Sequence, residues 1–550
     1  MQKFPKFSSN TWLEDSYTKP KDFWQELFSV ENKRFSAHSC PFNGYNFYYD
    51  LVLRHTSNKK KVAFYYYNQK WQQLSYYNLH MQVEHLALQW RSSGVKAGSI
   101  MCIVLPMGPK LVVAIMTALK LGLIFSVLVP QGQAFIMNRL TNLTPEHIFT
   151  NKIFHLWLKD FKEQILPDDV EVQGQFDFSA HIYKSGEALG MFFSSVRKDC
   201  TQPIPLLCDQ AYLYALRDGL LTFALHKQQH FVDSEVDFFQ YQPYLLLMSL
   251  LFGRSYVYLQ INQVKEQPKL LNTYKNSLLF IPRKLRELLL EAPKVKLKNC
   301  TLWVKSAIES IDLARWIQFS SELKLQEVEC CNIVAEAAWG GCVLASRRKD
   351  LLNIELQPCA GVPWKMENLS EEVINSSVGF FVAEGMNKGD GSLGSLLLMK
   401  NQTYWRYTMT DFPSRSGFTW PIEEVISMVE ELDFVYACSF AISLEIELGQ
   451  QYSYILVIFT GVKTKKMLSE NKNKWTQEIK NVINLQLGSN YLPNTIEFFP
   501  LVPHKKEEKT DHKWCQGQFF SKKLHFKMNN KTFDLLANIQ ELAYQRCDEK

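Results

Sequence analysis

Two apolar runs constrain this fold more than any other part of the chain: IMCIVLP at 100–106 and IFSVLVP at 124–130. Neither alternates with polar residues, so each reads as a strand buried on both faces. The segment between them opens with Pro109 and reads as a helix over 110–121. Strand, helix and fully apolar strand predict a parallel sheet covered by helices on both sides. The stretch 111–129 has about the length of a membrane span. Lys120 lies inside it and Gly122 punctuates it, which favours a buried helix followed by a buried strand.

The same alternation runs through most of the chain. VAFYY at 62–66 reads as a strand and NQK as a turn. Ser75 is placed to cap a helix carrying Leu79, Val83, Leu86, Ala87 and Trp90, and Gly94 stops it. Asp209 is placed to cap a helix with Tyr212, Ala215, Leu216, Gly219 and Phe223 on one face. SYVYL (255–259), SLLFI (277–281), CTLWV (300–304) and LQEVECC (325–331) read as strands, with helices over 282–292 and 311–323. Near 405–420 the texture changes. A short helix (421–432), a hairpin-like pair around GQ, a polar-faced helix (468–487) and a strand at 495–499 follow. The expected fold is α/β: a large multi-sheet N-terminal body with helices on its sheet faces, plus a small, mobile α+β C-terminal domain. The expected boundaries are an aromatic-rich, irregular strap at 1–45, a large domain at 46–411 and a small domain at 412–550.

Composition excludes several classes. A net charge of +6 on 550 residues is too small to argue for a nucleic-acid partner. The lysine runs at 58–61 and 463–466 read as solvated surface. Twelve cysteines without a C-x-x-C pair suit reduced thiols and a cytoplasmic setting, and no His/Cys cluster has zinc spacing. The N-terminus has no apolar signal region, and no transmembrane segment is expected. GDGSLG at 389–394 matches a dinucleotide-binding pattern, but a strand-like run follows it, which predicts a hairpin or loop.

The order of elements from VAFYY through GVKAGS and LPMGP to IFSVLVP resembles the opening of an adenylate-forming enzyme. The resemblance extends over nearly the whole chain. SRSGF (414–418) before PIEEV is most similar to the acetyl- and medium-chain acyl-CoA synthetases. It implies two-step chemistry. A carboxylic or fatty acid attacks the α-phosphate of ATP, giving acyl-adenylate and pyrophosphate, and a thiol such as that of CoA then takes the acyl group. The cofactors implied are ATP, Mg2+ and CoA if the chain is active, and none otherwise.

The resemblance also implies site positions. The family's phosphate loop reads roughly T-S-G-S-T-G-x-P-K-G, a form whose glycines leave backbone N–H groups open to phosphate. Here Pro203 aligns with the proline, Ile204 with the lysine and Pro205 with the last glycine, while RKDCT (197–201) replaces S-G-S-T-G. Ser194, Ser195, Arg197, Lys198 and Thr201 are the groups that could grip phosphate by side chain; a connecting loop that binds nothing is equally open. SAIES (306–310) stands at the adenine segment, without its glycine and proline. NIVAEA (332–337) stands for Y-G-x-T-E, so Glu336 is either the Mg2+ carboxylate or a plain surface residue. YWRYTMTDF (404–412) resembles the ribose block. Asp411 takes either the ribose or the hinge role, because most of the hairpin separating those aspartates in the family is missing. Ser416 and Gly417 fall on the thiol or CoA side. FPLVPHKKEEKTDHK (499–513) follows the lysine block: Lys506 is the catalytic lysine without a gap, Lys509 with one.

The functional expectation is a divergent ligase of the acyl-CoA synthetase type. The alternative is a catalytically impaired pseudoenzyme of the same fold that binds a ligand or a protein partner.

Overall fold

The computed structural model describes residues 11–30, 35–167, 179–193, 202–236, 241–291, 295–307, 313–349, 356–362, 364–368, 378–383, 392–400, 403–407, 414–415, 418–419, 422–445, 451–460, 465–499, 505–506 and 509–510. The chain divides into two compact units, one of residues 1–130 with 139–418 and one of residues 131–138 with 419–550.

The larger unit is built on two sheets. The nine-stranded sheet runs in the order Gln357–Pro358, Gly341–Arg348, Glu329–Glu336, Cys300–Ser306, Ser277–Phe280, His230–Asp233, Ser255–Tyr258, Val62–Asn68, Lys70–Ser75. Its interior pairs are parallel, and antiparallel pairs close both ends. The five-stranded sheet runs His147–Thr150, Ile100–Val104, Ile124–Leu128, Ala188–Phe193, Pro203–Leu207, and only its last pair is antiparallel. The uninterrupted apolar runs thus occupy parallel strands, as their lack of alternation requires.

Local chemistry explains the helix ends. The Ser75 hydroxyl accepts from the Asn78 N–H at 3.1 Å and opens helix Tyr76–Ser92, a cap worth about 1 kcal/mol. Helix Pro109–Leu121 ends at Gly122, whose φ of +72° only glycine adopts cheaply, and strand Ile124–Leu128 follows. Lys120 is buried in that helix. Its Nζ lies 2.9 Å from Glu84 Oε1 and 2.8 Å from the Ser179 carbonyl oxygen. Among the described residues no helix is long and apolar enough to cross a membrane.

The structure corrects three expectations. The N-terminal segment is not irregular: it forms helices Thr11–Thr18 and Pro20–Ser29. Phe23, Trp24, Leu27 and Phe28 of the second are buried at helical spacing, and Trp24 stacks on Tyr214. Asp209 is not an N-cap. Helix Cys208–Arg217 begins one residue before it, and its carboxylate turns inward instead. The strand expected at 325–331 is Glu329–Glu336, because Leu325 lies in a turn and the apolar run continues through Ala335.

Beyond the large sheets, Trp364–Asn368, Val378–Ala383, Ser392–Lys400 and Thr403–Tyr407 form an antiparallel sheet. The GDGSLG stretch therefore leads into a strand, not a nucleotide-binding helix. In the smaller unit, Ala437–Glu445 and Gln451–Phe459 pair antiparallel. The long helix Lys465–Gln486 then crosses over to Thr495–Phe499, which pairs parallel with the second strand. Helix Ile422–Glu430 buries Val425 and Val429, while Lys465–Gln486 buries Ile479 and Ile483.

Candidate functional site

The stretch expected to carry phosphate lies, in sequence, between two strands that pair with each other. Strands Ala188–Phe193 and Pro203–Leu207 pair antiparallel, with Phe193 opposite Pro203 and Phe192 opposite Ile204. Pro203–Leu207 is an edge strand, the one place in a sheet where Pro203 and Pro205 forfeit little by lacking N–H groups. Ile204, standing where the family has lysine, packs against the apolar core and brings no charge. Ser194, Ser195, Arg197, Lys198 and Thr201 lie outside the described residues.

The base of the hairpin is clamped by Asp209. Its carboxylate accepts from the Gly186 N–H at 2.7 Å, the Ser185 hydroxyl at 3.0 Å and the Tyr45 hydroxyl at 2.9 Å. The Cys208 N–H donates to the Glu187 carbonyl oxygen at 2.9 Å. One residue just past the hairpin thus holds the backbone just before it. Burial, then the Asp209 charge, pushes the Tyr45 phenol well above its ordinary range, so it stays a neutral donor.

Beside this hairpin lies the turn that follows Glu336. Glu336 ends strand Glu329–Glu336 and is 1% exposed, which removes the plain-surface reading. The short helix Ala337–Trp339 packs against both hairpin strands, and the Gln210 amide donates to the Trp339 carbonyl oxygen at 2.8 Å. Gly340 turns the chain with a φ of +74°, bringing strand Gly341–Arg348 back antiparallel. Asp218 anchors the returning strand: it accepts from the Cys342 N–H at 2.9 Å, the Tyr244 hydroxyl at 2.6 Å and the Thr222 hydroxyl at 2.9 Å. It also pairs with Arg217, whose Nε lies 2.9 Å from Oδ1. Burial opposes the Arg217 charge, but Asp218, Cys359 and Tyr214 together outweigh it and hold the guanidinium pKa above its ordinary value.

At the expected adenine segment, Ser306 and Ala307 are buried at the end of strand Cys300–Ser306, while 308–310 lie outside the described residues. Asn332, standing where the family has tyrosine, is buried. It accepts from the Lys305 ammonium at 2.8 Å, across the register pair Lys305–Asn332. Lys305 stands 5.4 Å from the centroid of the Trp316 ring. A buried lysine–amide pair thus occupies the level where the family pattern has an aromatic ring.

Asp411, Ser416 and Gly417 lie outside the described residues. Lys506 and Lys509 fall on two short strands, Lys505–Lys506 and Lys509–Thr510, which pair antiparallel in the smaller unit. Among the described residues no group of three His, Cys, Asp or Glu side chains could hold a metal. Mg2+ needs no such cluster: it takes one or two carboxylates and fills its shell with water and substrate phosphate, so a lone carboxylate such as Glu336 is compatible with it.

Sequence reasoning missed Asp209 as a clamp, Asp218 as an anchor and the Lys305–Asn332 pair. Only the first had a local signal, an acid in the first turn of a helix directly after a strand. The others depend on partners far away in the chain.

Comparison with known proteins bears on the fold. Residues 53–181 match the sequence model of a family described as AMP-binding enzyme. No curated protein sequence matches the chain. Among solved structures, one similar fold is a double mutant of o-succinylbenzoate CoA synthetase (MenE) from Bacillus subtilis, bound to its product analogue. Its TM-score is 0.67 at 13% identity, over 84% of this chain and 97% of that one. Another is the amide bond synthetase McbA from Marinactinospora thermotolerans, with a TM-score of 0.66 at 13% identity, over 86% of this chain and 99% of that one.

Proposed function

From a chain that carries the adenylate-forming fold, we propose a divergent ligase of the acyl-CoA synthetase type. It joins a carboxylic acid to AMP at the expense of ATP and passes the acyl group to a thiol. The observation that carries this reading is the packing of the turn after the buried Glu336 against the two paired strands that flank the proposed phosphate loop in sequence. In that arrangement Glu336 holds Mg2+, and Ser194, Ser195, Arg197, Lys198 and Thr201 grip the β- and γ-phosphates by side chain. Asp411 takes the ribose or the hinge position. Lys506, or Lys509, offsets the charge that develops at the α-phosphate. Ser416 and Gly417 lie towards the thiol, and the smaller unit moves between the two half-reactions. The free thiols, including the adjacent and buried Cys330 and Cys331, suit a reducing, cytoplasmic setting.

One observation favours a second reading. The loop from Ser194 to Gln202 contains no glycine. Side chains at every position crowd the approach of backbone N–H groups to phosphate. A pseudoenzyme of this fold would keep the hairpin and lose the chemistry. The two readings separate in one experiment: thermal shift with ATP and Mg2+, then pyrophosphate release across a panel of acids with thiol and amine acceptors. The ligase gives both a shift and pyrophosphate. A shift without pyrophosphate supports a nucleotide-binding pseudoenzyme, and no shift at millimolar ATP sinks the ligase.

A further inference from the structure

The candidate site occupies one edge of the two large sheets, where Pro203–Leu207 ends the smaller and the strands beyond Glu329–Glu336 end the larger. A second opening lies at the other edge of both. There His147–Thr150 ends the smaller sheet and Lys70–Ser75 the larger. Between them is a cleft of about 850 Å³, within the size range of small-molecule sites. Tyr66 contributes a half-buried aromatic ring from one sheet, and the buried Phe149, with Lys110 over its ring, floors the cleft from the other. Helix Tyr76–Ser92 runs along it and lines it with Asn78, Gln82 and Gln89, residues four and seven apart that share one helical face.

The charge of the lining has one sign. It includes Lys110 and no Asp or Glu. Lys110 Nζ is steadied 2.8 Å from Asn151 Oδ1 and stands 4.9 Å from the centroid of the Phe149 ring. Lys110 also lies in the first turn of helix Pro109–Leu121, whose preceding residue, Gly108, offers no side chain to cap it. The amino end of that helix adds positive potential to the ammonium. The exposed part of the Tyr66 ring suits a flat ring, carboxamides that both donate and accept suit its polar edge, and Lys110, with the His85 imidazole also in the lining, suits one acidic group.

We propose that this cleft is a second small-molecule site, taking a planar heteroaromatic anion. It uses none of the residues assigned to ATP or acid activation.

The test titrates the full chain calorimetrically with quinoline-6-sulfonate and with neutral quinoline-6-sulfonamide, each with and without ATP and Mg2+. A sulfonate is not a carboxylate, so the outcome does not depend on ligase activity. The sulfonate should bind at one site about tenfold tighter than the sulfonamide, the worth of one charge-assisted contact. Lys110→Met should remove that preference. Gln82→Trp should weaken both probes, because its indole would take up part of the cleft. Both positions are exposed, so folding should survive, with circular dichroism as the check. The proposal is overturned by lack of saturable binding, by a preference kept in Lys110→Met, by undiminished binding in Gln82→Trp, or by displacement with ATP.

Discussion

Lys506 and Lys509 are register partners across the antiparallel pair Lys505–Lys506 and Lys509–Thr510. The two alignments of the catalytic lysine, with and without a gap, therefore converge on one level of one hairpin, with Cα atoms about 4.5–5.5 Å apart. Either substitution leaves a lysine directly opposite, so single variants must be read against the double. Lys506→Ala should lower adenylation turnover by about 10²–10³-fold, the usual cost of losing one preorganised charge at a transition state. Lys509→Ala should cost under about tenfold on the same scale, and the double should be no worse than Lys506→Ala. Pyrophosphate release is the readout. The reverse ranking would assign the role to Lys509.

A side-chain grip on ATP has a distinct signature. If Arg197 and Lys198 replace the missing N–H donors, Arg197→Ala and Lys198→Ala should each weaken ATP binding by about tenfold, one charge-assisted contact apiece. The wild-type affinity should also fall as salt is raised, because exposed charges are screened. Calorimetric titration at two salt concentrations checks both. Affinity unchanged in the double variant would mean that these side chains do not hold the nucleotide.

Lys120 and Glu84 form a buried ion pair, 0% and 1% exposed at the side chain, with the Tyr48 hydroxyl 3.4 Å from the same carboxylate oxygen. Lys120→Met leaves the buried carboxylate only the long contacts to His80 Nδ1 and the Tyr48 hydroxyl, both at 3.4 Å, and should cost up to about 3–5 kcal/mol in urea denaturation. Lys120→Met with Glu84→Leu removes both charges and should recover most of that loss, because desolvation of the pair offsets much of its attraction. A double variant as unstable as the single would show that packing, not charge, sets the cost.

Those buried pairs mark where sequence reading ran out. The strands at 100–104 and 124–128, the Ser75 cap and the turn at Gly122 were legible because periodicity, capping and chirality act over a few residues. The N-terminal helices were not. In PKDFWQELFS the aromatic residues masked the spacing of Phe23, Trp24, Leu27 and Phe28, and what they pack against lies much later in the chain. The site shows the same split. A motif can propose Pro203 and Glu336, but the Asp209 clamp reaches back to Tyr45 and the Asp218 anchor forward to Cys342. No local pattern encodes such pairs.

A last case turns burial into a pH dependence. Asp233 ends strand His230–Asp233 fully inside the larger unit. It accepts from the Tyr256 hydroxyl at 2.6 Å and the Val236 N–H at 3.0 Å. Burial outweighs these bonds and pushes its carboxyl up to about 6. In the unfolded chain the same group titrates near 4. Below pH 4 both states hold the proton. Between about 4 and 6 the unfolded chain has released it while the folded chain keeps it, so stability falls as pH rises through that window. The loss should approach about 3 kcal/mol by pH 6 and stay level above it, where both states are ionised. Asp233→Asn cannot ionise, so the difference between wild type and variant in urea unfolding should change by that amount across the window. Burial also raises the neighbouring Glu235, whose charge adds to the rise at Asp233, so both chains are compared in a Glu235→Gln background. A flat difference from pH 4 to 6 would mean that Asp233 is ionised in the folded protein throughout.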